Sequence, residues 1–284
     1  MDQPVKALAS SVKQHPATLA ELAQSAWRHR GLIVQLTKRE VIGRYRGSTL
    51  GVLWSLVNPL LMLGVYTFVF SVVFGTRWPG AASTSKIHFA VVLFTGMIVF
   101  TIFAECVQRA PTLVVSQPNF VKKIVFPLEI LPWVNLFSAL FHACVSLAVL
   151  CIVVAITQGG IPWTALLAPF VLAPLIFLCL GASWFLAAMG VYLRDVGQIV
   201  GAAVTALMFL SPLFYPSSAL PADLRWVAQL NPLAYPVEQA RELIVFGRMP
   251  DVLPWIAYTV GSLLLMWGGF AWFQRTRKGF ADVL

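Results

Sequence analysis

The chain alternates between long charge-free apolar stretches and short polar interruptions. Gly47–Thr76 carries no Asp, Glu, Lys or Arg, and Ile87–Ala104 is a second such run with Glu105 at its far end. Ile130–Leu193 is also free of charge throughout. That is too long for one bilayer crossing, which takes about 20 apolar residues. The turn signal Gln158-Gly159-Gly160-Ile161-Pro162 divides it in two. Val196–Ala222 and Val252–Gln274 complete the set. The pattern predicts an all-α membrane protein with six transmembrane helices, an even number that puts both termini on one side.

Two regions depart from this pattern. Thr18 and Glu21 form a T-x-x-E capping box, and Leu19, Leu22, Ala23, Ala26 and Trp27 follow at helical spacing. This predicts an N-terminal amphipathic helix lying in the membrane interface, broken at Gly31. A second stretch, Leu32 to Tyr45, carries Lys38, Arg39, Glu40 and Arg44, with Arg46 directly after it. It reads as a basic anchor on anionic lipid or as a docking surface for a cytoplasmic partner. Ser211–Pro254 is the other departure. It holds Pro212, Pro216, Pro221, Pro232, Pro236, Pro250 and Pro254, yet stays apolar between them. Pro236–Gly247 predicts a short helix, with Glu238, Arg241 and Glu242 on one face and Val237, Ala240 and Ile244 on another. A re-entrant helical segment between spans five and six fits this, as does an external loop with an interfacial helix.

Composition narrows the class. Hydrophobic residues make up 59% of the 284 and charged residues 11%, where a soluble domain carries about 25% charged. Soluble and disordered chains are both excluded. The net charge of +9 follows from topology. With the N-terminus inside, fifteen of the twenty Lys and Arg fall in cytoplasmic segments and five outside. No nucleic-acid partner is needed to explain them. The polar start lacks the apolar region of a signal peptide, which also predicts a cytoplasmic N-terminus.

Catalytic and metal-binding patterns are missing from the sequence. Cys106, Cys144, Cys151 and Cys179 lie in apolar runs without a C-x-x-C pair, and His15, His29, His88 and His142 lack ligand spacing. There is no G-x-x-x-x-G-K-[ST], G-x-S-x-G or H-E-x-x-H. The expected set of catalytic residues is therefore empty, as is the set of metal ligands. A membrane glycan-processing enzyme would have to rely on Asp223, Glu238, Glu242 and Asp251, the external acids. Glu105 is the main acid near a span, with Arg109 one turn away as its expected partner. A transporter without an energy source of its own needs a separate motor. Aromatics are the positive signal: Trp54, Tyr66, Phe68, Phe70 and Phe74 in the first span and its approach, and Phe209, Phe214 and Tyr215 in the fifth and its exit. Two roles fit them, ordinary packing against lipid and helices, or a channel lining along which sugar rings slide.

The run Arg44-Tyr45-Arg46-Gly47-Ser48-Thr49-Leu50-Gly51-Val52-Leu53-Trp54-Ser55-Leu56-Val57-Asn58-Pro59-Leu60 resembles the signature of ABC-2 type permeases for polysaccharide export. The resemblance is to the O-antigen and teichoic acid exporters in particular. Asn119–Pro132, the turn Tyr192-Leu193-Arg194-Asp195 and Asn231-Pro232-Leu233-Ala234 agree in the same order. The resemblance implies a homodimer in the bacterial cytoplasmic (inner) membrane, with two copies of a cytoplasmic ABC ATPase beneath it. That ATPase would bind ATP and Mg, and this chain would bind no cofactor. Residues 1–50 would form the cytoplasmic segment and 51–284 the six-helix domain, with an external gate at about 211–250. The substrate would be a polysaccharide linked to undecaprenyl diphosphate. Teichoic acid, capsule and smaller lipid or drug substrates are the alternatives. By matching position, Arg39, Arg44, Tyr45 and Arg46 would meet the lipid diphosphate or form a cytoplasmic gate. Asn119, Phe120, Lys122, Lys123, Arg194 and Asp195 would couple to the ATPase. Pro216, Asn231, Pro232, Glu238, Arg241 and Glu242 would form the external gate.

Overall fold

The computed structural model describes residues 18–73, 86–118 and 126–284. Every regular element among them is helical. Five stretches are long and apolar enough to cross a membrane: Gly51–Phe70, His88–Thr112, Leu128–Gln158, Trp163–Tyr192 and Val252–Val283. The fifth expected crossing is helical only over Val196–Leu210, 15 residues. At 1.5 Å per residue that is about 22 Å, against a hydrocarbon core of about 30 Å. It ends where Ser211 turns extended ahead of Pro212, which has no N–H to continue the ladder.

We label the helices that position the site. Helix α1 spans Leu19–Arg28 and α2 spans Arg30–Arg44. Thr18 Oγ1 accepts from the Glu21 backbone N–H at 3.2 Å, the first half of the expected capping box. The break falls at His29, whose φ of −101° and ψ of 13° leave the helix, and not at Gly31, which lies inside α2. His29 Nδ1 sits 2.9 Å from the Ser25 carbonyl oxygen, where the α1 ladder stops. Trp27 is 71% exposed and has the Arg30 guanidinium 4.6 Å over its ring. An exposed, cation-stacked Trp suits a headgroup layer.

The first crossing holds α3, Trp54–Tyr66, with Pro59 inside it, and continues as a π-helix over Thr67–Val73. Next come α4, Lys86–Arg109, and α5, Leu131–Gln158. Gly159 ends α5 at φ 77°, a left-handed C-cap at the predicted turn. The fourth crossing contains α6, Ala168–Val171, and α7, Ala173–Tyr192. Then follow α8, Val196–Leu210; α9, Arg225–Leu230; α10, Ala234–Arg241; and α11, Val252–Thr276.

Helices α7 and α11 form the most extensive pair among the described residues. Glycines explain how closely they approach. A Cβ on Gly181 would lie 2.5 Å from the Leu265 carbonyl oxygen, and one on Gly269 would lie 2.1 Å from that of Gly181. Small residues let apolar helices meet backbone to backbone where lipid supplies no hydrophobic drive between them. Trp184, Phe270, Phe273 and Phe280 fill the adjoining core. By contrast, α3 leaves Leu56, Leu60, Leu61 and Val65 exposed. That apolar face is suited to lipid or to another subunit.

Ser25 Oγ donates to Glu129 Oε1 at 3.0 Å, and Arg277 Nη1 donates to Glu129 Oε2 at 2.5 Å. The N-terminal helix and the C-terminal tail therefore meet at the same end of the bundle. At the opposite end α10 leans on α4 and continues as a π-turn, Glu242–Phe246, closed by Gly247 at φ 66°. The short helix expected over Pro236–Gly247 thus forms, with Gly247 as its cap.

Candidate functional site

A cleft of about 410 Å³ opens between the end of α2, α3, α4 and α5. Its floor is polar: Arg44, Tyr45, Glu105, His142 and Ser146. Trp54, Ser55, Asn58, Met62 and Tyr66 from the first crossing form one wall, and Phe94, Met97 and Thr101 from α4 form another. Pro59 cannot supply an N–H to the ladder, so α3 turns a backbone defect toward this space. The Ser55 hydroxyl donates back to Val52 O at 2.7 Å.

The ion pairs at this end differ from the expected ones. Glu105 does not take Arg109 as its partner. Arg44 donates to Glu105, and Arg109 donates to Glu40. The reason is tertiary: α2 lies across the ends of α4 and α5, burying Ile33 and Leu36 against Ile130 and Val134. Each carboxylate and guanidinium thereby finds a partner on another element instead of one turn along its own helix. His142 joins the first pair, with Nδ1 3.2 Å from Arg44 Nη1 and 3.9 Å from Glu105 Oε1. The Glu105 side chain is only 11% exposed. Burial raises the Tyr45 hydroxyl above its usual value, with Arg44 pulling the other way. The phenol therefore stays protonated at neutral pH and offers a hydrogen-bond donor to the cleft.

The expected aromatic set divides. Trp54 and Tyr66 line the cleft. Phe70 packs on Phe89 and Phe214, both with centroids at 5.7 Å, and Phe214 stacks on Phe209 at 5.9 Å. These rings form a ladder from the first crossing to the end of α8. The Tyr215 hydroxyl donates to Phe209 O and Leu210 O, both at 3.2 Å. Phe68 is 62% exposed and stands apart from both groups. Phe74 lies outside the described residues.

The basic set divides as well. Arg44 and Tyr45 are in the cleft, Arg46 is exposed in the following turn, and Arg39 lines a separate 90 Å³ recess beside Glu40 and Arg109. Of the expected coupling residues, Arg194 and Asp195 form an exposed turn between α7 and α8. Asn119, Phe120, Lys122 and Lys123 lie outside the described residues.

The expected gate residues come together most fully. Asn231 Nδ2 donates to Ser211 Oγ at 2.9 Å, and its Oδ1 accepts from the Leu233 N–H at 2.9 Å. Pro232 follows within that turn, and Pro216 is half-buried ahead of Ser217. Ser217 donates to Glu238, and Glu242 pairs with Arg248 at 3.5 Å. Arg241 does not simply share an exposed face with these glutamates. It is 2% exposed and donates to three backbone carbonyls: Val92 O at 3.0 Å, Pro212 O at 2.5 Å and Leu213 O at 2.7 Å. It thus ties α10 both to α4 and to the chain leaving α8.

Sequence reasoning did not assign His142 to the site, or Glu129 with Arg277. The signal for His142 was an ionisable side chain inside a charge-free span, which marks a site by default. Among the described residues no group of three or more His, Cys, Asp or Glu is arranged to hold a metal ion.

Residues 31–245 match the family model described as ABC-2 type transporter. The chain is 28% identical over 267 residues to the O-antigen export system permease protein RfbA of Myxococcus xanthus, covering 93% of this chain and 99% of that protein. A permease of the same name from Klebsiella pneumoniae is 26% identical over 256 residues, with 89% and 95% covered. The polysialic acid transport protein KpsM of Escherichia coli is 23% identical over 245 residues, with 84% and 91% covered.

Proposed function

The chain belongs to the ABC-2 type transporter family, and we propose that it is the channel-forming subunit of an ATP-driven exporter of lipid-linked polysaccharide of the O-antigen kind. The observation that carries this reading is the cleft: a polar, hydrogen-bonding floor that holds the Arg44 guanidinium, under walls of aromatic and apolar side chains. Such a space suits an anionic head with a glycan attached, since aromatic faces accept the C–H faces of sugar rings without gripping any one of them. The relatives named for O-antigen export match over more of their length and at higher identity than the polysialic acid transporter, which favours O-antigen over capsule.

In this reading Val196–Leu210 is the fifth of six crossings, and the segment 211–250 dips back into the membrane as the external gate. Its apolar pieces are too short to span and pack against α4 and, at Leu243–Val245, against α5 and the start of the fourth crossing. The protein sits in the bacterial cytoplasmic membrane with both termini cytoplasmic, supported by Ser25 and Arg277 meeting on Glu129. It works as a homodimer whose halves meet at the exposed apolar face of α3. Two copies of an ABC ATPase dock beneath it, and ATP and Mg bind to that partner.

The geometry supplies a route for force. Two ion pairs, Glu40–Arg109 and Arg44–Glu105, clip the last turns of α2 to α4, the second of them within the cleft. A push on α2 from below is carried into α4, and through Arg241 into the gate. The substrate enters from the cytoplasmic leaflet, its diphosphate linked to undecaprenol meeting Arg44 and Tyr45.

The test is reconstitution. The chain purified alone should show no ATPase activity. With the ATPase encoded beside it, it should co-purify, hydrolyse ATP and restore surface glycan to a cell lacking the native permease. If no ATPase binds and full-length glycan reaches the surface without this chain, the reading is wrong.

A further inference from the structure

Arg44 is the cation best placed to receive an anion in the cleft, yet its guanidinium is already occupied by Glu105. Two further arginines at this end are engaged elsewhere, Arg109 with Glu40 and Arg277 with Glu129, and neither lines the cleft. Glu105 is the one carboxylate lining the cleft, and it projects from α4 into a space otherwise shaped for a ligand. Guanidinium pairs with carboxylate and phosphate through the same fork geometry, so the two anions compete for one seat.

The geometry points to Glu105 as a resident counter-anion: it fills the anion seat on Arg44 while the cleft is empty, and the diphosphate head of the substrate takes Arg44 from it. This deepens, and rests on, the export reading above. Two features suit the exchange. First, a diphosphate brings more charge than the single carboxylate it displaces, so it can win the guanidinium even though Glu105 is tethered. Second, Glu105 is not stranded when displaced, because His142 Nδ1 lies 3.9 Å away and can take up its oxygen. The exchange also transmits a signal. Arg44 is the last residue of α2, and Glu105 clips it to α4. Loading the cleft releases that clip while Glu40–Arg109, on the neighbouring turns, remains closed. A filled cleft thus frees the end of α2 nearest the substrate and keeps the rest of the helix attached.

The exchange predicts an effect opposite in sign to that of a merely structural ion pair. With the full chain in nanodiscs, binding is measured to farnesyl diphosphate and, separately, to inorganic pyrophosphate. Glu105→Gln should bind farnesyl diphosphate about tenfold tighter than the parent, equivalent to about 1.4 kcal/mol. Arg44→Gln should bind at least tenfold weaker, and the double variant should behave as Arg44→Gln. Inorganic pyrophosphate should follow the same order at lower affinity, as expected for a lipid headgroup site. Equal or weaker binding by a monodisperse Glu105→Gln overturns the exchange, and tighter binding of pyrophosphate than of the prenyl form overturns a lipid headgroup as its source. If Glu105→Gln does not fold, Glu105→Asp keeps the charge but shortens the reach, and it too must bind tighter. Surface glycan in cells separates this inference from the wider reading. A parent that exports glycan while the Glu105 variants gain no affinity overturns the exchange alone. A parent that exports none overturns both.

Discussion

Replacing Arg241 by Met tests how the segment after α8 is held. Met keeps an unbranched apolar stem and removes the guanidinium. Arg241 is 2% exposed, and its three acceptors differ in what they lose. Val92 lies inside α4, where its carbonyl retains a helical partner. Pro212 and Leu213 lie past the end of α8, and their carbonyls depend on the guanidinium. Orphaning a buried carbonyl costs about 1–3 kcal/mol. Two of them cost about 2–6 kcal/mol, less whatever is recovered by no longer burying a charge. The expected net loss is about 3 kcal/mol. At roughly 2–4 °C per kcal/mol this lowers the midpoint by about 10 °C. Unfolding of such a protein is irreversible, so the assay is the fraction eluting as a single peak after a fixed heating time. Gly96→Ala approaches the same contact from the other side. Its Cβ would lie 2.7 Å from Arg241 Nη2, and the guanidinium is pinned by its three acceptors. It should fall in the same direction by a smaller amount. An Arg241→Met midpoint within 2 °C of the parent, with Gly96→Ala silent, would refute the idea that these hydrogen bonds hold the segment.

Other expectations follow from the same geometry. Gly181→Ala should lower the midpoint clearly, because the new methyl meets backbone at 2.5 Å, while Gly160→Ala, with open space around it, should change little under the same heating protocol. Glu129→Gln removes the charge opposite Arg277, a pair with side chains 12% and 14% exposed. It should cost about 3 kcal/mol and let trypsin cut after Arg28 or Arg30 several-fold faster, read by gel densitometry. Glu40→Gln opens a pair that is more than a third exposed on both sides, so stability should change by less than about 1 kcal/mol. With the partner ATPase present, ATP hydrolysis should persist while glycan reaching the surface falls. Trp54→Ala combined with Tyr66→Ala should likewise leave hydrolysis in place but slow export of long chains more than short ones, measured by the length distribution of surface glycan.

Much of the fold was legible because charge is so costly in lipid that charge-free runs report helices directly. The Gly159 turn and the Pro236–Gly247 helix were readable for a local reason: glycine tolerates left-handed backbone and proline cannot extend a ladder. The ion-pair pattern was not readable. Glu105 and Arg109 are spaced to pair on one helix, and only the docking of α2 gives each a different partner. Arg241 looked like a member of a charged face because helical spacing says which residues share a side, not what that side meets. His142 went unassigned to the site because nothing in its own span shows that Arg44 arrives there. The glycine contacts of α7 with α11 were also hidden, since a glycine in open space and one pressed on a backbone look alike in sequence.

That pair of helices has a mechanical consequence. Side chains that interdigitate can hop between rotamers and let two helices slide, but backbone pressed on backbone has nothing to hop. The α7–α11 pair is therefore a stator. Gly190 extends it, since a Cβ there would lie 2.0 Å from the Pro111 carbonyl oxygen and so the turn after α4 is pressed against the same post. What can rotate is what the post does not clamp: α2, the first crossing and α8, joined to the rest by side chains and ion pairs. Any stroke of the transporter must be sought in those parts, with α7 and α11 as the fixed frame against which it is measured.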